Sequence, residues 1–238
     1  MLAVIGGTGF YSLGKKLEER DVMTPYGPAT LQLVSLADEK IVFLPRYGRK
    51  HLIPPHRVNY RANIAALEKA GVSGVITTYA AGILSKYKPG DLALLDDFMG
   101  LWSPTTFFDD FSAGAKHVDF SAPFSKEMKA GLREVAAVGK TKLKGGGIIA
   151  TTRGPRFETR AEASALKKLG ANLANMSAAY ELALLGESEI DCAAIAVATN
   201  YAAGMSKKPP SHEETLRVMR GAYGSLMALI GGFAEEVV

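Results

Sequence analysis

The sequence predicts a single α/β domain that spans residues 1–238. Three observations support this: the chain is 47% hydrophobic and 22% charged, apolar runs alternate with segments of helical periodicity, and several apolar runs end in polar loops. A chain of this length can bury one sizeable core. Ligands of open α/β sheets bind outside the carboxyl ends of the strands. The polar residues at these ends are Thr8, Arg46, Thr78, Glu158 and Asn200.

The composition argues against several functional classes. The formal net charge is +4, but Lys and Arg are dispersed and no aromatic series is interleaved with them, so nucleic-acid binding is not favoured. No apolar stretch reaches the roughly 18 residues that a membrane span needs. The single cysteine, Cys192, lies in an apolar run and is expected to be a buried, reduced thiol of a cytoplasmic protein. The N-terminal MLAVIGGTGFY predicts a strand rather than a signal peptide.

The first predicted strand, residues 2–5, leads directly into GGTGF at 6–10. Glycines at this place let backbone N–H groups approach an anion, and Thr8 adds a hydroxyl donor. A tight turn is an equally good interpretation, because the segment is neither GxGxxG nor a Walker motif. A Rossmann-type dehydrogenase would also need a ribose-binding acid about twenty residues later, and Glu18 and Glu19 come too early.

Two further strands are predicted at residues 29–36 and 40–44, with a turn between them. The second strand leads into RYGRKH at 46–51, which holds three cations and a histidine. Arginine suits bidentate capture of phosphate, so Arg46 is a candidate anion ligand. A solvated basic loop is the alternative.

The middle of the chain repeats the order of helix, strand and polar loop. Apolar spacing predicts a helix at residues 58–70 and a buried strand at 72–78 that stops at the loop 79–82. Residues 100–114 form a long loop rich in aromatic residues and aspartate, and such loops tend to be functional or to pack on a partner. The other elements predicted here are a strand at 91–96 and a helix at 126–138.

A strand at 147–152 and a helix at 160–169 flank a loop that contains Phe157 and Glu158. This junction is a candidate wall of a small-molecule site. Because an acid or hydroxyl before a helix often serves only as its cap, capping by Glu158 or Thr159 is the alternative.

A second loop, NMS at 175–177, opens the next predicted helix at 179–185. Helix N-termini attract anions, so this loop is expected to form part of the same wall. The last core strand, 190–199, ends at Asn200, and Ser211 carries the start signal of a helix that runs to residue 230 or beyond.

Eight motifs follow one another along nearly the whole chain: IGGTGF, RYGRKH, VNYRANI, TTYAAG, KPGD, GPRFETRAE, GANLANMS and AVATNY. Together they resemble the trimeric branch of the purine nucleoside and 5′-methylthioadenosine phosphorylases. The resemblance implies a twisted, mixed β-sheet flanked by helices, and a homotrimer for which stacking into a hexamer is left open. It further implies cleavage of a purine nucleoside by inorganic phosphate to the free base and a ribose 1-phosphate, as in purine salvage. No metal or organic cofactor is expected.

The resemblance also assigns site residues. Met176 is expected to lie against the ribose, and His117 to reach into the site of a neighbouring subunit. The implied phosphate ligands are Thr8, Arg46, Tyr47, Ala80 and Ser177. The implied substrate-binding set also contains Phe157, Glu158, Asn200, Tyr201 and Ala202.

Glu158 and Asn200 predict which purine is bound. A 6-oxopurine presents an acceptor at O6 and a donor at N1, whereas adenine presents the reverse. Glu158 suits the N1 proton, and Asn200 suits O6 or N7, where the resemblance places Asp in enzymes for 6-aminopurines. Ala202 likewise replaces a second acid of those enzymes. Glu158 and Asn200 are both expected to act catalytically. Asn200 donates to the purine as negative charge grows on it during cleavage of the glycosidic bond, and Glu158 holds the base through its N1 proton. The expected substrates are inosine and guanosine.

His212 falls where inosine and guanosine enzymes place a histidine on the 5′-hydroxyl, so we expect a free hydroxyl there. A capping or merely exposed histidine is the alternative, and 5′-methylthioinosine and 5′-methylthioadenosine stay open as substrates. Tyr47, Tyr79 and Tyr180 depart from the pattern of the family and are expected to reshape the phosphate or sugar pocket. A catalytically weak nucleoside-binding protein is the non-enzyme alternative.

Overall fold

The computed structural model describes residues 1–48, 50–103, 105–112 and 114–237, and these residues form nine strands and five α-helices. Arg49 of the basic loop and Pro104 and Ala113 of the long loop lie outside the described residues. The strands are β1 (Leu2–Gly6), β2 (Lys15–Thr24), β3 (Gly27–Leu36), β4 (Glu39–Pro45), β5 (Gly74–Ile83), β6 (Leu92–Met99), β7 (Leu143–Thr151), β8 (Leu173–Asn175) and β9 (Asp191–Tyr201). The helices are α1 (Tyr60–Lys69), α2 (Lys126–Val138), α3 (Arg160–Lys168), α4 (Ala178–Glu187) and α5 (His212–Val237), with a 3₁₀ turn at Pro55–Arg57.

All these strands belong to one sheet, in the order β2-β3-β4-β1-β5-β8-β7-β6-β9, and β5 also pairs with β9. Five strands, β5, β8, β7, β6 and β9, therefore close into a ring, and the other four extend from β5 as an open wing. The pairs β1–β4, β1–β5, β5–β9, β6–β7 and β7–β8 are parallel. The remaining pairs are antiparallel, so the predicted mixed sheet is confirmed.

Strand β5 separates two apolar layers, because successive side chains of a strand point to opposite faces. Val75 belongs to the cluster that contains Ile64 of α1 and Leu182 of α4. Ile76 belongs to the cluster that contains Leu226 of α5. Helices thus cover the sheet on both faces, which agrees with the predicted architecture.

Cys192 is buried in the first of these clusters as a free cysteine, as the sequence predicts, and burial raises the pKa of its thiol. No helix in the described part of the chain is long and apolar enough to cross a membrane.

Two strands are missing from the sequence-based assignment. Strand β2 is an edge strand with mostly exposed residues, so it shows no apolar alternation, and β8 has only three residues. The predicted loop at 79–82 is wrong, because β5 continues to Ile83 and pairs there with β8 and β9. Strand β9 likewise continues through Asn200.

Candidate active site

A cavity of about 410 Å³ lies where β1, β4 and β9 end and where the second half of β5 passes. It brings together most of the residues that the sequence singles out: Thr8, Arg46, Tyr47, Ala80, Phe157, Glu158, Met176, Ser177, Asn200 and His212. These residues are far apart in sequence. Thr8, Arg46 and Asn200 come at the ends of β1, β4 and β9, which share one direction with β5, so the parallel topology places them at one edge of the sheet. Glu158 and Ser177 follow β7 and β8, which run antiparallel to β5, and line the same cavity.

Arg46 lines this cavity, but the protein itself uses most of its hydrogen-bonding capacity. Nε donates to Oε1 of Glu181 at 2.5 Å and Nη2 to Oε2 at 2.8 Å. Nη2 also donates to Oγ1 of Thr77, and Nη1 to the carbonyl oxygen of Thr78, both at 2.9 Å. A guanidinium group has five N–H donors. The bidentate partner of Arg46 is therefore Glu181. The one remaining N–H, on Nη1, is available to a ligand or to Tyr47, with which the Arg46 side chain also hydrogen-bonds.

Glu181 is fully buried in α4, and no role is predicted for it from the sequence. Its Oε2 also accepts from the hydroxyl of Tyr79 at 3.0 Å, and the Tyr79 ring lies 4.6 Å from Cζ of Arg46. Burial lowers the pKa of Arg46, but the charge and hydrogen bonds of Glu181 outweigh this and raise it. A signal was present in the sequence: AAYELALL carries one carboxylate in an apolar helix, and buried charges are normally paired.

Gly7 explains part of the glycine-rich segment. A Cβ at Gly7 would lie 2.3 Å from Nη1 of Arg46, so only glycine lets the backbone pass this close. The amide of Phe10 donates to the carbonyl oxygen of Gly7 at 2.9 Å. The segment is thus a tight turn and a cavity wall at once, with Thr8 on the cavity side.

The first backbone amides of α4 bond to the protein itself and are not free to bind an anion, contrary to the expectation for a helix N-terminus. The amides of Ser177 and Ala178 donate to Oδ1 of Asn175, and that of Ala179 donates to Oγ1 of Thr151. The hydroxyl of Ser177 accepts from Nδ2 of Asn175 at 3.3 Å. The Ser177 side chain is also hydrogen-bonded to Tyr47, so its own hydrogen is shared between Tyr47 and a ligand in the cavity.

Glu158 is buried and does not cap the helix that follows it. Thr159 is the N-cap of α3, and Glu162 completes a capping box with it. Oε1 of Glu158 accepts from the amide of Ala203 at 2.9 Å, whereas Oε2 has no hydrogen-bond partner among the residues that the structure describes. The carboxylate is thus anchored at one oxygen and open to the cavity at the other.

Asn200 owes its position to a β-bulge. Strands β5 and β9 pair regularly as far as Ala81 opposite Ala198, and the next pair is Gly82 opposite Asn200. Thr199 is the extra residue, and both Thr199 and Asn200 line the cavity. In a regular strand these neighbours would point to opposite faces, so the bulge re-aims them together.

Three hydrogen bonds hold the Asn200 amide. Oδ1 accepts from the hydroxyls of Thr199 at 2.8 Å and Thr215 at 3.1 Å. Nδ2 donates to the carbonyl oxygen of Tyr201 at 3.2 Å. One N–H of the amide is left for a ligand.

Two histidines, His51 and His212, line the cavity, and a role is predicted from the sequence only for His212. His212 is the first residue of α5, but the capping hydroxyl belongs to Ser211, which accepts from the amide of Glu214. His51 packs edge-on against the ring of Tyr47 at 4.5 Å between ring centroids. Burial, and after it the charges of His212 and Arg46, lower the pKa of His51.

Three predicted site residues lie outside the cavity walls. Tyr201 is partly exposed, and Ala202 is buried in a separate apolar cluster where its amide donates to Ile83. His117 is exposed and packs on the ring of Phe111 at 5.7 Å. Of the three unusual tyrosines, Tyr180 also lies elsewhere and stacks on another tyrosine ring.

Comparison with known proteins gives a consistent result along the whole chain. A family model described as the Phosphorylase superfamily matches residues 1–234. A probable 6-oxopurine nucleoside phosphorylase of Moorella thermoacetica is 42% identical over 223 residues, 92% of this chain and 86% of the relative. The 6-oxopurine nucleoside phosphorylase of Pyrococcus furiosus is 37% identical over 96% of this chain and 90% of its own length.

Other relatives carry a different name. A probable S-methyl-5′-thioinosine phosphorylase of Methanopyrus kandleri is 36% identical over 99% of this chain and 92% of its own length. Among solved structures, methylthioadenosine phosphorylase from Schistosoma mansoni in complex with adenine has a TM-score of 0.90 at 29% identity, with coverage of 99% of this chain and 91% of that one. The fold and the family resemblance expected from the motifs are confirmed.

Proposed function

Since this chain belongs to the Phosphorylase superfamily, we propose that it cleaves 6-oxopurine nucleosides such as inosine and guanosine with inorganic phosphate. The products are the free base and ribose 1-phosphate. The observation that carries this proposal is the buried carboxylate of Glu158, anchored by the amide of Ala203 and open at Oε2, beside an amide of Asn200 with one free donor.

The base end of the cavity fits this chemistry. As the bond between sugar and purine breaks, the purine becomes more negative, and a donor at O6 or N7 opposes that charge. Asn200 supplies this donor, and Glu158 accepts the N1 proton of the base. Facing adenine, Glu158 would put a carboxylate against a lone pair, and buried polar groups left unpaired are costly.

Phosphate is the second substrate, and the reaction uses no metal or organic cofactor. It would approach the sugar from the side of Thr8, Ala80 and Ser177, which supply hydroxyl and backbone donors. Arg46 adds one N–H, and Tyr47 a phenol whose pKa is raised by burial, so that it stays a protonated donor. Met176 packs against the ribose, and His212 bonds its 5′-hydroxyl.

The assembly we propose is a cytoplasmic homotrimer that acts in purine salvage, with His117 lying at a subunit border. Its support is that His117 lies away from the cavity of its own chain and packs on the exposed ring of Phe111. Three other large apolar side chains, Leu101, Trp102 and Val118, are also exposed in the segment from residue 101 to 118. Exposed apolar surface of this kind is what a subunit interface would cover. Tyr201 and Ala202 would act only by shaping the end of β9.

The test is release of base that depends on phosphate. We expect hypoxanthine from inosine only when phosphate is added, and adenosine and 5′-methylthioadenosine to react at least a hundredfold more slowly, as expected for buried polar recognition. Equal rates for adenosine and inosine would remove the roles given to Glu158 and Asn200. Absence of release with every nucleoside would leave a binding protein.

A second candidate substrate is 5′-methylthioinosine. It is favoured by the apolar residues Leu52, Ile53, Pro54 and Pro55, which line the cavity next to His51. A thioether gains from apolar contact, whereas a hydroxyl needs a polar partner. Rates for inosine and 5′-methylthioinosine in the same phosphate buffer decide between them, and a hundredfold preference for the thioether would establish the second.

A further inference from the structure

Thr215 belongs to helix α5 and lies at the base end of the cavity. It is 7% exposed and lines the cavity together with Asn200. Its hydroxyl is 3.1 Å from Oδ1 of Asn200 and 3.1 Å from the carbonyl oxygen of Ser211. The bond to Ser211 is the usual back-bond of a helical threonine, but the helix does not require the contact to Asn200.

The hydrogen bonds around Asn200 fix which of its atoms faces which partner. Nδ2 belongs next to the carbonyl oxygen of Tyr201, because the opposite amide orientation would put two acceptors 3.2 Å apart. Oδ1 then faces the hydroxyls of Thr199 and Thr215. A carbonyl oxygen has two lone pairs, and each hydroxyl has one hydrogen to donate. Thr199 also lies within hydrogen-bond distance of the carbonyl oxygen of Ala81, and Thr215 of that of Ser211. When both hydrogens point to Oδ1, both of its lone pairs are occupied.

We propose that Thr215 is a positioning residue for base specificity: its hydroxyl fills the second lone pair of Asn200 Oδ1, so that the amide offers a purine a donor but no acceptor. O6 of a 6-oxopurine can use that donor. The 6-amino group of adenine finds no acceptor there. Glu158 discriminates at N1, and Thr215, acting through Asn200, discriminates at position 6. The inference rests on the proposed 6-oxopurine activity and deepens it.

The matched variants are Thr215→Val, which keeps the shape and removes the hydroxyl, and Thr215→Ser, which keeps the hydroxyl. The measured quantity is the ratio of kcat/KM for inosine to that for adenosine at saturating phosphate. For Thr215→Val we expect the ratio to fall about fivefold, which corresponds to one hydrogen bond of about 1 kcal/mol. For Thr215→Ser we expect it to stay within about twofold.

Calorimetric affinities for hypoxanthine and adenine repeat the comparison without turnover, so a failure of the proposed phosphorolysis is told apart from a failure of this inference. Should Thr215→Val fail to fold, Thr199→Val empties the other lone pair and is expected to lower the same ratio. An unchanged ratio in a folded Thr215→Val protein, by rate and by affinity, would mean that the hydroxyl serves only Ser211, and the inference would be wrong.

Discussion

The two ends of the cavity hold their buried charges in opposite ways. At the anion end, Arg46 gives four of its five N–H groups to the protein and is paired with the carboxylate of Glu181. At the base end, Glu158 receives one hydrogen bond, from the amide of Ala203, among the residues described. Both side chains are nearly inaccessible, with 2% and 7% exposed. The charge of Arg46 is neutralised within the protein, whereas the carboxylate of Glu158 keeps one oxygen free to accept a hydrogen bond from a ligand.

This difference separates stability from recognition. A buried ion pair resists loss of either partner, because the other is left charged in a low dielectric. A buried carboxylate with one free oxygen favours the binding of a ligand that donates a hydrogen bond to that oxygen. We therefore expect changes at the anion end to act mainly on folding and changes at the base end mainly on substrate choice.

The largest effect is expected from Arg46→Met, which leaves Glu181 buried and unpaired. Breaking such a pair costs about 3 to 5 kcal/mol. For a chain of this size the melting temperature should fall by roughly 6 to 20 °C at fixed protein concentration. The control is Arg46→Met combined with Glu181→Met, which removes both charges and should recover most of the loss. If Arg46→Met alone melts at the same temperature as the wild type, the ion pair does not contribute to the stability of the fold.

The second effect is expected from Glu158→Gln. This change replaces the charged acceptor of the hydrogen bond that we assign to N1 of the base by a neutral amide. We therefore expect kcat/KM for inosine to fall roughly ten- to a hundredfold. The melting temperature should stay near that of the wild type. Glu162→Gln is the matched control, because Glu162 lies in the same segment but serves the cap of α3 and an ion pair with Arg156. Equal activity losses in both variants would contradict the assignment.

A smaller effect is expected from Tyr79→Phe, which removes one donor from Glu181 but leaves the ion pair intact. The loss of one hydrogen bond should cost about 1 kcal/mol and lower the melting temperature by roughly 2 to 4 °C. Because the charge of Arg46 stays neutralised, KM for phosphate should change by less than about threefold. A large rise in this KM at unchanged stability would place the Tyr79 hydroxyl on the phosphate instead.

The smallest effect concerns His51 and pH. Its pKa in the folded protein is lowered from the ordinary value of 6.5, so the unfolded chain binds the proton more readily. The contribution of His51 to stability is therefore full above pH 6.5 and is lost as the pH falls below that value. His51→Gln should flatten the acid side of the stability curve, measured as melting temperature against pH. His56→Gln, an exposed histidine outside this cavity, should leave the curve unchanged.

Local patterns in the sequence were enough to place Thr8 and Asn200. Both come at the ends of predicted strands that run parallel to β5, so the topology brings them to one edge. Glu158 follows β7, which runs antiparallel to β5, so its place in the same cavity could not be predicted from the strand ends. The partner of Arg46 could not be predicted in the same way, because Glu181 is 135 residues away and its helix gives no sign of which charge it meets. Strand β2 was missed for another reason: with no buried face, it has no apolar period to detect.

The extra residue in β9 makes base recognition depend on chain length as well as on residue identity. Deleting Thr199 would restore regular pairing with β5. The residue after Ala198 would then follow the normal alternation of the strand and point to the face opposite to that of Ala198. An asparagine would still be present in the sequence, yet it would no longer share the cavity with a preceding threonine. A motif search for related specificity should therefore require the spacing between Ala198 and Asn200. A relative that is one residue shorter here would keep the asparagine, but its side chain would no longer line the cavity.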